Sequence, residues 1–224
     1  MATRQVLAGL APECAAAVGA ELVIESVGGV DAARRVQAGE AFDLVLLAQD
    51  ALQTLADAGH LAGDTLRGFV RSPMAVAVRL GVAPPDVQTE EALAATVRAA
   101  ARIGYSTGPS GAHVLRLVER WCPAGNARPQ LVQAPPGVPV AELIANGDVE
   151  LGFQQLPELV GHPRVVVAGT LPPPVDLVTT FAGAVGARSG HPQLAARALA
   201  WLSSPAADDM RRRFGMLAPE ASAR

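Results

Sequence analysis

Short apolar runs alternate with amphipathic stretches along the first part of the chain, and this alternation restricts the fold more than any other feature. The run Phe42–Ala48 is apolar throughout, which is typical of a strand in a parallel sheet covered on both faces. The stretches 30–39 and 50–61 on either side have the apolar spacing of helices. With further strands predicted at 4–10 and 23–29, the order β-α-β-α-β-α predicts a parallel α/β sheet.

The alternation starts again after residue 81, so the chain contains two α/β units in tandem. A proline-opened helix is also predicted at 12–22. The closing helices, which begin at Pro192 and Pro205, have no strands of their own and are expected to pack on the first unit. The elements predicted in the second half are helices at 88–100, 110–121 and 138–147, and strands at 102–106, 129–134, 149–155, 164–169 and 176–187.

The chain of 224 residues is long enough for two lobes of roughly 100 residues each. Because the closing helices return to the first unit, the chain must cross between lobes twice, near 71–78 and 177–181. The predicted lobes are therefore 1–75 with 177–224, and 76–176. Two-lobed α/β proteins hold their ligand in a cleft, at the carboxyl ends of strands and the N-termini of helices.

The composition excludes several classes of function. The formal net charge of −3 argues against a nucleic-acid partner bound by overall electrostatics. All 18 basic residues are arginines, so chemistry that needs a Schiff-base, pyridoxal-phosphate or phosphate-loop lysine is excluded. No cofactor is predicted. No metal site is predicted either, because the two cysteines and four histidines match no ligand spacing: Cys14, Cys122, His60, His113, His162 and His191.

The sequence shows neither a signal peptide nor an apolar run long enough to cross a membrane. These observations predict a cytoplasmic protein, or a periplasmic one if a leader has been removed. A transporter partner is expected only for an exported form.

The stretch 104–111, "GYSTGPSG", places a loop rich in hydroxyls and glycine between a predicted strand and a predicted helix. Free N–H groups and the positive end of the helix dipole make such a loop suitable for an anion. It is not a phosphate loop, because no Gly-Lys-Ser/Thr follows. It is not a nucleophile elbow, because Ala112 stands where that motif needs glycine. The alternative is a plain capped helix start. The expected ligand contacts are Ser106, Thr107, Ser110 and Gly111.

Other loops at predicted strand ends offer further donors. "SVGGVD" exposes backbone N–H groups at the start of the next helix, and "AGLAPE" follows the first predicted strand. Arginine at the first crossover could bind a carboxylate with two parallel hydrogen bonds. The alternatives are a plain turn and a surface arginine. The candidate contacts are Leu10, Ala11, Gly28, Gly29, Val30, Arg71, Ser72 and, at the return crossover, Thr179.

The order of elements resembles the type II periplasmic solute-binding fold, in particular the molybdate-binding proteins. The resemblance is carried by "VQAGEAFDLVLLAQDALQTLADAGHL", "YSTGPSGAHVLRLVERW", "VPVAELIANGDVELGFQQ" and "HPQLAARALAWLSSPAADDMRRRFGM". It implies a two-lobed α/β fold with a ligand cleft, in which Gln154 and Gln155 contact the ligand. The family's oxyanion-binding serines and tyrosine fall on Ala11, 28–30 and Gln155, so we expect molybdate to bind poorly.

These observations favour a protein that binds a small anionic solute. A carboxylate is the expected class, because neutral donors are many and aromatic residues few. The alternative is an isomerase that moves a proton along an unsaturated polycarboxylate, since the enzyme aconitate isomerase is similar to molybdate-binding proteins. Its base would be Glu13, Asp31 or His113. A regulatory ligand-binding domain is a third hypothesis, but no helix-turn-helix accompanies it.

Overall fold

The computed structural model describes residues 2–123 and 128–220. The helices and strands follow one another in the order α1 (Arg4–Val18), α2 (Gly29–Gln37), β1 (Leu44–Ala48), α3 (Gln49–Asp57), β2 (Leu61–Arg79), α4 (Glu90–Ala99), β3 (Arg102–Tyr105), α5 (Pro109–Trp121), β4 (Gln130–Gln133), α6 (Val140–Asn146), β5 (Leu151–Gln155), β6 (Val165–Thr170), β7 (Val178–Gly186), α7 (Pro192–Leu202) and α8 (Asp208–Arg213).

The chain divides into two compact units, with boundaries after Ser72 and after Val178. Of the described residues, unit 1 comprises 3–72 and 179–220, and unit 2 comprises Ala2 and 73–178. These boundaries lie within three residues of the lobe boundaries that the sequence predicts, 75/76 and 176/177. The long strand β2 and the strand β7 each contain one of the two boundaries.

The start of unit 1 differs from the prediction, which placed a strand at 4–10 and a helix at 12–22. One helix, α1, covers the predicted strand and the predicted helix as far as Val18, and Pro12 lies inside it at an exposed position. Its buried residues recur with helical spacing and form one apolar face: Val6, Leu7, Leu10, Cys14 and Val18. A strand would have placed Val6 and Leu7 on opposite faces, whereas the helix buries both in one core.

The predicted strand at 23–29 is also wrong, since no strand is assigned over residues 20–28. A run with high β-propensity forms a strand only where a neighbouring strand completes the ladder. In the described part of unit 1, β1 pairs with β7 and the pair is antiparallel, with Leu46 opposite Gly183. The β1–β7 pair is therefore antiparallel, where the sequence predicts a parallel sheet for the first unit.

The closing helices pack on unit 1, as predicted. Both α7 and α8 contact α1. The buried side chains of α1, of α7 and of β2 near Phe69 form one cluster, which Met216 completes. A second cluster in this unit lies between α2, α3, β1 and β7, where Leu52 and Leu55 are fully buried.

Unit 2 has the parallel strands that the sequence predicts. Strand β3 lies parallel to both β4 and β5, and β5 continues the sheet through an antiparallel pairing with β2. Strand β6 pairs with the other edge of β2. Helix α5 covers this sheet with the face predicted from its spacing: Val114, Leu117, Val118 and Trp121 are all buried.

Helix α6 lies unusually close to the sheet of unit 2 because two glycines face it. Gly104 of β3 is paired with Gly152 of β5. A Cβ atom at Gly152 would lie 2.4 Å from the Cδ1 atom of Ile144, and one at Gly104 would lie 3.0 Å from Val140. The close approach brings the N-terminus of α6 within reach of the side chains at the end of β5.

Candidate functional site

The loop between β3 and α5, residues 106–111, is the best-defined candidate site, and we call it the hydroxyl loop. Gly108 precedes α5 with a φ of +94°, a conformation that side-chain-bearing residues rarely adopt. The first hydrogen bond of the helix runs from the Ala112 N–H to the Gly108 carbonyl, at 3.1 Å. The N–H groups of Ser110 and Gly111 belong to the first turn, so the helix itself provides them with no acceptor.

Two hydroxyls of the hydroxyl loop contact each other. The Oγ atoms of Ser106 and Ser110 lie 2.9 Å apart, and Ser110 is 7% exposed. Thr107 is exposed. Gly111 is required by space, because a Cβ atom there would lie 1.8 Å from the Ser106 carbonyl oxygen. The structure thus brings together the four residues predicted here and explains why one of them is glycine.

The second predicted loop, at Gly28–Val30, does lie at a helix N-terminus. Gly28 caps α2, whose first hydrogen bond runs from the Ala32 N–H to the Gly28 carbonyl at 2.9 Å. Val30 is 60% exposed, and a Cβ atom at Gly29 would meet nothing within 4 Å. Unlike Gly111, therefore, Gly29 is not required by the space around it.

Gln154 and Gln155 end β5 and are both buried. The Oε1 atom of Gln154 accepts a hydrogen bond of 2.7 Å from the N–H of Val140, the first residue of α6. Burial raises the pKa of the Glu158 carboxyl to about 7, and a hydrogen bond with the Gln154 side chain opposes that rise. The Gln154 amide therefore ties the end of β5 to α6 and to the short turn Leu156–Glu158.

Leu10 and Ala11 were predicted as ligand contacts in a loop after a first strand, and the structure corrects this placement. Both lie in the middle of α1, and Leu10 is 1% exposed within the core of unit 1. Inside a helix, the backbone N–H groups at these positions bond to carbonyls of the preceding turn. Neither residue can therefore offer the strand-end donors that the prediction required.

The crossover residues have partners within unit 1 or are buried. The guanidinium of Arg71 donates to the Glu220 carboxylate at 2.8 Å and to the Ala218 carbonyl at 3.1 Å. Ser72 is fully buried, and no partner for its hydroxyl is found among residues 2–123 and 128–220. Thr179, the first residue of this unit after the second boundary, is half-buried in β7.

The three predicted bases are exposed or already have polar partners, and their role as bases stays a prediction. Glu13 lies on the exposed side of α1. Asp31 is paired with Arg34 at 3.1 Å in the first turn of α2. The Nε2 atom of His113 lies 2.9 Å from the Val175 carbonyl, to which it donates, and its Nδ1 atom lies 3.4 Å from Arg116. Both ring nitrogens of His113 are thus engaged.

Glu158 is the residue that the sequence reasoning missed. It lies three residues after the strand-end pair Gln154 and Gln155, inside the quoted stretch "GFQQLPEL". An acidic residue one turn past a buried strand was the available signal. The raised pKa of Glu158 depends on its burial by residues distant in sequence, which no local sequence pattern reveals.

The described residues contain no cluster of three or more histidine, cysteine, aspartate or glutamate side chains that could hold a metal ion. Cys14 and Cys122 are both buried free thiols. Within the same described ranges, no helix has the length and apolar character needed to cross a membrane.

Comparison with known proteins identifies the family. The family model described as bacterial extracellular solute-binding protein matches residues 1–217. The chain belongs to this family of solute-binding proteins. The predicted resemblance and the two-lobed α/β class of fold are thereby confirmed, whereas the predicted ligand cleft and lobe boundaries stay predictions.

Solved structures show the same fold at low sequence identity. The periplasmic molybdate-binding protein of Azotobacter vinelandii matches with a TM-score of 0.74 and 16% identity, covering 97% of this chain and 96% of that one. A substrate-binding protein of an ABC transporter from Agrobacterium tumefaciens also matches with a TM-score of 0.74, at 15% identity, covering 99% of this chain and 79% of that one.

A relative with a named enzymatic activity is closer in sequence. Aconitate isomerase from a Pseudomonas species is 31% identical over 170 residues, which are 76% of this chain. The match takes in 65% of the length of that enzyme.

Proposed function

We propose that the protein binds a small organic anion through its carboxylate groups, and that the hydroxyl loop holds one of them. The observation that carries the proposal is the close approach of Gly111 to the Ser106 carbonyl, which no side chain could tolerate. That approach keeps the two serine hydroxyls and the first-turn N–H groups of α5 within one small loop. Each of these groups can donate a hydrogen bond to an oxyanion.

Family membership supports a solute as the ligand, and the chemistry of the loop supports a carboxylate. The loop has no charged side chain, so recognition would depend on neutral donors and on the dipole of α5, a helix of 13 residues. The identity to aconitate isomerase makes unsaturated polycarboxylates the first acids to examine.

Isothermal titration calorimetry with trans-aconitate, and separately with molybdate, tests the proposal. Ser110→Ala removes the buried hydroxyl but leaves the helix intact, and it should weaken trans-aconitate binding about 10- to 150-fold, the value of a hydrogen bond to a charged group. Thr54→Ala is the matched control. Thr54 also carries a hydroxyl on a helix, but its Oγ1 bonds to the Asp50 carbonyl of α3.

Two results would contradict the proposal. Equal affinity of the wild type and Ser110→Ala would show that the hydroxyl loop does not hold the ligand. Micromolar binding of molybdate without binding of any carboxylate would assign the protein to a different class of ligand.

We propose catalysis as the second function, an isomerisation by proton transfer in which the largely buried carboxyl of Glu158, beside Gln154 at the end of β5, is the base. A base works best when its pKa is near the working pH, and burial raises that of Glu158 to about 7. The reaction would move a proton between two carbons of an unsaturated polycarboxylate, with Glu158 accepting it from one carbon and returning it to the other. Sequence identity to aconitate isomerase supports this reading.

Proton NMR of cis- and trans-aconitate in heavy water tests the catalytic proposal. Conversion of one isomer into the other should be rapid with the wild type and lost with Glu158→Gln. Glu142→Gln is the control, since Glu142 is an exposed carboxylate of the same unit that contacts His162. Absence of conversion, together with binding of either acid, would leave the protein as a binder for this class of substrate.

The cellular location of the protein and its transporter partner are also proposals. We propose a cytoplasmic protein, with a transporter partner only for an exported form. Fractionation of cells that produce the protein with a C-terminal tag should recover it with cytoplasmic markers. Recovery with periplasmic markers would contradict this location.

A further inference from the structure

The carboxyl-terminal segment of unit 1, residues 216–220, is bound along β2, and we call it the tail. The backbone N–H groups of Arg71 and Leu217 each donate to the other residue's carbonyl, at 2.9 and 2.8 Å. The Arg71 side chain then reaches past this pair to two further positions of the tail, the Ala218 carbonyl and the Glu220 carboxylate.

The contact between Arg71 and Glu220 has the chemistry of carboxylate recognition. An arginine fork donates from Nη1 to a carboxylate oxygen at 2.8 Å, while its Nε is engaged by a carbonyl. The Glu220 side chain is 77% exposed, whereas that of Arg71 is 29% exposed. The acidic partner is therefore held by little except the arginine, and water can replace it at low cost.

Space for a ligand exists beside this contact. Glu220, with Ala218 and Pro219 of the tail, borders an open pocket of about 530 Å³, whose lining also includes the exposed Arg67 and the buried Arg211. A volume of this size is sufficient for a small organic acid. Asp208 lines the cavity too, but it is paired with Arg211. Arg67 is exposed, and no ion pair is assigned to it in the described part of the chain.

We propose that the Glu220 carboxylate is an internal competitor for Arg71, and that a small carboxylate solute entering through the pocket that Glu220 borders displaces it and binds Arg71. This inference rests on the proposed function only in taking a carboxylate as the solute. It explains why an arginine predicted to bind a carboxylate already holds one from its own chain. The tail then acts as an autoinhibitory segment, which weakens binding without blocking it.

Backbone amide NMR with trans-aconitate as the probe tests the displacement on the full chain. Displacement should shift the amide signals of Leu217 and Glu220, whereas binding at the hydroxyl loop should shift those of Ser110 and Gly111. Shifts in the tail alone support this inference and contradict the hydroxyl-loop proposal. Shifts in the loop alone overturn this inference and leave the proposed function standing, and the absence of both overturns both.

Affinity measurements with three variants complete the test. Glu220→Gln removes the competing charge and should tighten trans-aconitate binding about 1.5- to 5-fold, the range expected for an exposed ion pair. Arg71→Gln should abolish the tail shifts. Asp209→Asn is the matched control, because it removes the same charge from an exposed pair with Arg212. Equal tightening by Glu220→Gln and Asp209→Asn would overturn the competition.

Discussion

Gly111→Ala is the substitution for which the structure gives the most definite expectation. The added methyl group would lie 1.8 Å from the Ser106 carbonyl oxygen, whereas real Cβ atoms do not approach other heavy atoms within 3.0 Å. Either the loop backbone or the first turn of α5 must therefore move by more than about 1 Å. Because the obstacle is backbone, no change of side-chain rotamer can relieve it.

The loss in the free energy of unfolding caused by Gly111→Ala can be estimated. Insertion of a methyl group into a closely packed site typically costs about 1–3 kcal/mol and occasionally more, and a backbone obstacle belongs at the upper end. The higher helix propensity of alanine relative to glycine stabilises the helix by about 1 kcal/mol and offsets part of this loss. The net loss is about 2 kcal/mol, which for a chain of this length lowers the melting temperature by about 4–8 °C.

Gly29→Ala is the matched control for stability. It also lies in the first turn of a helix, and its added methyl group would meet nothing within 4 Å. Thermal unfolding followed by circular dichroism should show Gly29→Ala at or slightly above the wild-type melting temperature. If Gly111→Ala melts within about 2 °C of the wild type, the close approach in the hydroxyl loop is refuted.

Three further predictions concern stability. Leu10→Ala should lower the free energy of unfolding in urea by about 2–5 kcal/mol, because Leu10 is buried. Glu13→Gln on the same helix should leave it nearly unchanged. Equal effects of the two substitutions would contradict the assignment of residues 4–18 to a helix. A hydrogen bond from Ser189 lowers the pKa of Asp43. The free energy of unfolding of the wild type should therefore exceed that of Asp43→Ala by a constant amount above about pH 4 and by less at lower pH. A difference that stays constant below about pH 4 would contradict this prediction. Burial raises the pKa of Glu158 to about 7, so the unfolded chain loses this proton first as the pH rises. Wild-type stability should therefore fall between about pH 4.3 and 7 relative to Glu158→Gln, and an unchanged difference over that range would refute the burial.

The hydroxyl loop shows how far local sequence can go. Its small and hydroxyl-bearing residues, between an apolar run and an amphipathic stretch, were sufficient to place it between a strand and a helix. Sequence alone could not show that Ser106 and Ser110 contact each other, or that Gly111 is required by the Ser106 carbonyl. Those facts depend on how tightly the chain turns, to within about 1 Å.

The start of the chain shows the opposite case. The segment 4–10 is short and apolar, and periodicity over so few residues does not distinguish a strand from a buried helix. The residues that decide it are Cys14 and Val18, which continue the apolar face beyond a proline that was taken as a helix start. Leu10 and Ala11 were predicted as ligand contacts partly because this segment was taken as a strand followed by a loop.

The sequence by itself determined the parallel strands of unit 2, the covering face of α5, the return of the closing helices and the absence of lysine chemistry, because each depends on residue type or on local spacing. Only the tertiary structure decided the partners of polar side chains distant in sequence. Arg71 meets Glu220 across 149 residues, and Gln154 joins Val140 and Glu158 around the end of a strand. Such contacts are set by how whole elements pack, which local spacing does not specify. Burial that results from the same packing raises the pKa of Glu158.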